Sequence, residues 1–192
     1  HTKEPRNKRM EQALINKEID LACITFTEGQ QNVDFSFIAN VKEEIVLGVP
    51  ASHPLAYLAG ENSAEHLPEV DLSLFKDAQF LLAAPETKSS DIEAEIFRTA
   101  GFQPKVLYTS SGSKTRIRTV KAQLACAFFP AFYVDPDAPI VYFTVKPHIC
   151  WHSCVAYRKG SYLSVPELVL IDLIRKYNAR VSNFKSIIQD GS

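Results

Sequence analysis

The chain has 192 residues, 46% of them hydrophobic and 22% charged, enough for one large globular domain or two small ones. A net charge of −1 argues against this piece holding a nucleic acid by phosphate neutralisation, and Lys3, Arg6, Lys8 and Arg9 are interrupted by Glu4 and Glu11, as in a solvated face. No apolar run is long enough to span a bilayer, and the mostly polar start has no signal-peptide pattern, so no membrane partner and a cytoplasmic location are expected.

In chain order, His1 to Pro5 is expected to end a strand. Asn7 can cap a helix from Lys8 to Ile15, with Met10, Ala13 and Leu14 on one face. Ile19 to Thr25 is a nearly continuous apolar run, as for a strand covered on both sides. Phe35–Ile38 and Ile45–Val49 read as two further strands, and Pro50, His53 and Pro54 then break regular structure. Ala59 to Glu69 is polar and loop-like, and Leu72 to Phe75 is a short helical turn. Phe80 to Ala84 is an apolar strand closed by Pro85.

A second strand-helix series follows. Ser89 or Ser90 caps a helix to Ala100, with Gly101 at its C-terminal cap. Val106 to Thr109 is a strand, and Ser110-Ser111-Gly112-Ser113 leads into a helix to Gln123. Cys126 to Phe129 is a short buried strand stopped by Pro130. Val134 to Pro139 is a turn region between that strand and two more, Ile140–Val145 and Cys150–Tyr157. Ser164-Val165-Pro166-Glu167 is a capping box opening a helix that carries Leu168, Leu170, Ile171, Leu173 and Ile174. This alternation predicts an α/β fold with mainly parallel sheets.

The chemistry-bearing residues favour a binding protein. The four cysteines, at 23, 126, 150 and 154, form no disulfide framework; Cys23 and Cys126 sit in apolar runs and read as small core residues, which suits a reducing compartment. On a strand, His148, Cys150, His152 and Cys154 would share one face at intervals of about 6.6–6.8 Å, too far apart for all four to hold one zinc, so they read as structural and no metal is expected. Asp20, at a strand start, reads as a partner for nearby backbone amides, and Phe128, Phe129 and Phe132 as core. There is no G-x-S-x-G elbow, no P-loop and no dinucleotide fingerprint, so neither an enzyme nor a cofactor is expected.

Four segments in this order, Ile19-Asp20-Leu21-Ala22, Leu47 to Ala56, Ile117 to Pro130, and the closing strand and helix, resemble the effector-binding domain of LysR-type transcriptional regulators. The resemblance reaches about Tyr177. It implies two Rossmann-like α/β subdomains joined by two crossover strands, like type II periplasmic solute-binding proteins. His1 to about Phe75 with Cys150 to the end would form subdomain I, and about Lys76 to Ile149 subdomain II. It further implies a small-molecule effector bound between the subdomains, a ligand-biased closure or rotation, and homo-oligomers: dimers, and tetramers in the intact regulator. DNA would be bound only through an N-terminal domain. The family's winged helix-turn-helix and the sensor's first strand and helix have no counterpart here, so the chain is expected to be part of a longer regulator. A glycine pair usual in the family is replaced by Gln123 and Ala125, so that turn must differ. A stand-alone solute-binding protein of the same fold is the alternative.

The expected effector site follows from position. Ligands of open α/β sheets bind beyond the carboxyl ends of strands, and helix N-termini there suit anions. Asn7, Thr25, Thr87, Ser89, Ser110, Ser111 and Ser113 lie at such strand ends or helix starts, and a small organic anion is the expected ligand. Lys88, Lys114 and Arg116 add charge nearby, each more simply read as a solvated surface group.

Overall fold

The computed structural model describes residues 6–27, 32–60, 67–85 and 87–189, with side chains for all of these except 6, 7, 39, 40 and 179–189. The strand end expected at His1 to Pro5 and the middle of the polar stretch after Ala59 lie outside the described residues. Helix α1 covers Arg6–Ile15. Asn7 is therefore inside its first turn instead of capping it, and its side chain is not described. Leu14 is fully buried, and α1 ends where Lys17 turns left-handed (φ 60°) and the amides of Glu18 and Ile19 return to the Ala13 carbonyl.

Strand β1, Ala22–Thr27, buries Ala22, Ile24 and Phe26 and leaves Cys23 exposed. This corrects the reading of a strand covered on both faces and of Cys23 as a core residue. Alternation puts every second residue of a one-sided strand outward. The two strands expected at Phe35–Ile38 and Ile45–Val49 are one strand, β2, Phe35–Pro50. The residues between them contain neither glycine nor proline to interrupt it. Short 3₁₀ turns at Ala56–Ala59 and Leu72–Phe75 lead to β3, Gln79–Ala83. Helix α2 (Lys88–Ala100), β4 (Lys105–Ser110), α3 (Ser113–Lys121), β5 (Ala127–Pro130), β6 (Ile140–Phe143), β7 (Cys150–Arg158) and α4 (Val165–Gln189) follow.

The chain forms two compact units, His1–Lys42 with Trp151–Ser192, and Glu43–Cys150. The first division falls inside β2. The second half of β2 is committed to strands of the second unit: Ile45 to Gly48 pair with Pro130 to Ala127 of β5, and Leu47 to Pro50 with Phe143 to Ile140 of β6.

In the first unit β1 pairs antiparallel with β7, from Ala22 opposite Ala156 to Thr27 opposite Trp151. Its core is Leu14, Ala22, Ile24, Phe26, Phe35, Cys154 and Ala156. The His152 ring stacks on Phe26 at 5.0 Å. Arg158 closes the connection from α1 to β1, donating to the carbonyls of Leu14 (2.7 Å) and Ile19 (2.9 Å) and to the Asp20 carboxylate (3.1 Å). The Asp20 side chain therefore meets a cation, where backbone amides were expected. In α4 the Glu167 carboxylate accepts from the Ser164 amide; Ile171 is buried, while Leu168, Leu170 and Leu173 are exposed.

In the second unit β3 and β4 are parallel, Gln79 opposite Lys105 and Ala83 opposite Ser110. The ladders of β1 with β7 and of β2 with β5 and β6 are antiparallel. The expectation of mainly parallel pairing therefore holds for the strand-helix-strand unit β3-α2-β4 and fails for the strands that return. One core gathers Val46, Leu81, Val120, Ala125, Ala127, Phe129, Ile140 and Tyr142. Phe80, Phe97 and Phe128 are mutually packed, with edge-to-face contacts of Phe97 on the other two.

The turn after α3 is held by Gln123. Gln123 holds a left-handed backbone (φ 63°). Its amide nitrogen donates to the carbonyls of Pro139 (2.7 Å) and Val120 (3.2 Å), and its amide oxygen accepts from the Ser52 amide (2.8 Å).

Gly48 of β2 is closely approached, because a Cβ there would lie 2.5 Å from the Phe129 ring. Gly48→Ala is expected to destabilise the chain by about 1–3 kcal/mol through overpacking, read as a lower urea midpoint at unchanged slope.

Candidate functional site

Two helix starts of the second unit stand at the carboxyl ends of the parallel strands β3 and β4. The Ala84 amide donates to the Ser110 carbonyl at 3.1 Å, which fixes the two strand ends side by side. Helix α2 begins after Thr87, whose hydroxyl accepts from the Ser90 amide (3.2 Å) and donates to the Ala84 carbonyl (2.8 Å). Ser90 completes a reciprocal capping box with Thr87, so the cap is Thr87 where Ser89 or Ser90 was expected. Helix α3 begins after Gly112, and the Ser110 hydroxyl accepts from the Gly112 amide at 3.2 Å.

The residue that organises this region is Arg116, only 3% exposed. It lies on the inward face of α3 with Thr119 and Val120. Its Nη1 donates to Glu93 Oε1 of α2 at 2.8 Å, and its Nη2 to the Ser113 hydroxyl at 3.2 Å. The other Glu93 oxygen accepts from the Ala83 amide at the end of β3, at 2.7 Å. A buried ion pair thus ties β3, α2 and α3 together. Burial pushes the Glu93 carboxyl up to about 7, while Arg116 and the Ala83 amide pull it the other way. The Arg116 Nε atom is buried and has no hydrogen-bond partner among the described residues. Ser89, Glu93 and Arg116 line an open depression with Ile45, Ile92, Phe128, Phe129 and Pro130.

Of the seven expected site residues, five belong to this region. Ser89 lines the depression and Ser113 binds the guanidinium. Thr87 and Ser110 have hydroxyls engaged in capping and turn bonds, and Ser111 is exposed between them and α3. Thr25 is a half-buried residue of β1 opposite Ser153, in the first unit with Asn7, whose side chain is not described. Sequence reasoning took Arg116 for a solvated group and did not single out Glu93; the structure corrects the first and adds the second. The signal was present. Glu93 falls among Ile92, Ile96 and Phe97, and Arg116 recurs with Thr119 and Val120 at helical spacing, so one acid and one base stand on apolar faces.

The His148–Cys154 segment serves other ends. His152 and Cys154 are buried on β7, and burial pushes the Cys154 thiol up to about 12, as it does Cys126. His148 lies ahead of the strand between two carboxylates of the second unit, Nδ1 2.6 Å from Glu44 and Nε2 2.8 Å from Glu69, with Lys146 also 2.9 Å from Glu69. Hydrogen bonds to Glu44 and Glu69 hold its pKa above the ordinary 6.5. Among the described residues no group of three or more His, Cys, Asp or Glu is arranged to hold a metal, and no helix is long and apolar enough to cross a membrane.

Two tests follow from these charges. Glu93→Ala leaves Arg116 as an uncompensated buried cation and is expected to lower the unfolding free energy by about 3–5 kcal/mol, measured by urea titration. For His148 the folded pKa exceeds the unfolded one. Its stabilisation is therefore complete below about pH 6.5 and fades as pH rises through the folded value. His148→Gln should flatten the change in urea midpoint between about pH 6 and 8 relative to the parent; an unchanged slope with pH excludes this role.

The family model described as the LysR substrate binding domain matches residues 3–179. The chain is 29% identical over 141 residues to the uncharacterized HTH-type transcriptional regulator YwbI of Bacillus subtilis (strain 168), which covers 71% of this chain and 44% of that protein. The chain thus spans less than half the length of that curated relative. The effector binding domain of QuiR, solved in complex with shikimate, superposes with a TM-score of 0.66 at 19% identity, covering 90% of this chain and 78% of that one. The regulatory domain of CcmR from Synechocystis PCC6803, in complex with 2-PG, gives 0.66 at 13% identity, covering 90% and 79%. At such identities the likeness shows the fold: α/β, periplasmic-binding-protein-like, type II. By the match over nearly its whole length, this chain belongs to the LysR substrate-binding domain family, a family of regulator binding domains and not of enzymes.

Proposed function

We propose that this chain is the effector-sensing part of a LysR-type transcriptional regulator and binds a small organic anion. The observation that carries this reading is the buried guanidinium of Arg116, its Nε atom without a partner among the described residues, near Ser89 and two helix starts. Hydroxyls at helix starts supply donors without a fixed charge, and the amides of a first helical turn favour an anion. Relatives of the same fold were solved with shikimate and with 2-PG, which supports a small polar ligand. Thr87, Ser89, Ser110, Ser111 and Ser113 are the proposed contributors from the second unit, and Asn7 and Thr25 those from the first. Binding would bias a two-state equilibrium and so alter DNA binding or transcription through segments of the regulator outside this chain. A homodimer is the proposed assembly.

The test is a thermal-shift screen of small organic acids, followed by calorimetric titration of the best binder. Ser89→Ala and Ser111→Ala are each expected to weaken it by about 0.5–1.5 kcal/mol, or about 1.5–3 where the bond is to the charged group. Unchanged affinity in both variants rejects the site, and a screen without any binder rejects the sensing role.

A further inference from the structure

We propose that Glu44, Glu69 and His148 form a proton-operated clamp on the two stretches of chain that leave the second unit, closed when the imidazole is charged.

Three observations carry it. First, both ring nitrogens of His148 face carboxylates, Nδ1 at 2.6 Å from Glu44 Oε1 and Nε2 at 2.8 Å from Glu69 Oε2. A neutral imidazole has one N–H and would turn the lone pair of its other nitrogen on an acceptor, so only the imidazolium donates to both. Second, the residues come from separate stretches of chain. Glu44 follows Glu43, the first residue of the second unit, and His148 shortly precedes Cys150, its last. The Ile45 amide donates to the Ile149 carbonyl at 3.0 Å, so the two crossings run side by side there. Glu69 is carried by a third stretch, which the Val70 amide ties to the Thr144 carbonyl at 3.0 Å. With the ring charged, one side chain joins all three. With it neutral, one carboxylate link is lost and the crossings keep their backbone bond. A chain of two units bends at the residues that cross between them, so a bond placed there sets how freely they bend. Third, the cluster is open to bulk protons, with the His148 side chain 48% exposed. The charged groups around the ring are Glu44 on β2, Glu69, and Lys146 on the stretch leading to His148. Lys146 takes the other Glu69 oxygen, Oε1, at 2.9 Å and so does not compete for Oε2. The hydrogen bonds to Glu44 and Glu69 hold the imidazole pKa above 6.5. The clamp is therefore complete below about pH 6.5 and opens as pH rises through the folded value.

The experiment is native-state hydrogen exchange of this chain across about pH 6 to 8, with each amide rate normalised to its unfolded rate. Ile45 reports the crossings. Leu81, whose amide donates to the Cys126 carbonyl at 2.9 Å in the interior of the same unit, reports unfolding of that unit as a whole. The protection of Ile45 relative to Leu81 is expected to fall about two- to fivefold from the lower pH to the higher, the range of exposed ion pairs. The fall should vanish in His148→Gln and in the double variant Glu44→Gln with Glu69→Gln, and its midpoint should match the titration of the His148 ring protons. A ratio that does not change with pH in the parent makes His148 a contributor to global stability only and overturns the proposal. A fall that persists in His148→Gln, or a midpoint that differs from the ring titration, overturns it as well.

Discussion

The second unit depends on one buried ion pair. Glu93 and Arg116 belong to different helices, and each also bonds a third group, the Ala83 amide at the end of β3 and the Ser113 hydroxyl at the start of α3. Neither charge tolerates the interior alone, so each fixes the position of the other. The pair links α2 and α3 directly, carboxylate to guanidinium. Its net contribution to stability is expected to be modest, since desolvation offsets much of the attraction. What it supplies is registry between the two helix starts where an anion would be received.

The first unit uses an arginine differently. Arg158 gathers two backbone carbonyls at the end of α1 and the approach to β1, and reaches an exposed carboxylate. There the guanidinium satisfies acceptors that the helix end would otherwise leave to solvent. Both arginines bond through their Nη atoms, one to backbone carbonyls and an exposed carboxylate and the other to a buried carboxylate and a hydroxyl.

Much of the architecture was legible in the residues. Gly101 marked the end of α2, and it adopts the left-handed conformation expected there (φ 75°). Ser164 and Glu167 marked the start of α4, and the serine-rich approach to α3 lay where the helix begins. Other features depend on contacts distant in sequence. The long β2 reads as two strands because its middle is polar, and only its partners β5, β6 and β7 reveal the continuity. Cys23 reads as core within Leu-Ala-Cys-Ile-Thr, and only the pairing of β1 with β7 decides which face is solvated. For the candidate site, position at helix starts was readable, whereas the burial of Arg116 was not. A lone arginine in a run with Lys114 and Arg118 looks solvated until its partner on another helix is known.

Gln123 carries a consequence for how this sequence can change. A left-handed residue ordinarily invites glycine, which would adopt that conformation without strain. Here the side chain also serves the backbone at Ser52 and Pro139, far away in sequence. Replacing it by glycine would relax one residue and leave those two groups without their partner. The exchange is therefore epistatic: its sign depends on what stands at the two distant turns, and a variant with glycine there would have to rebuild both of them together.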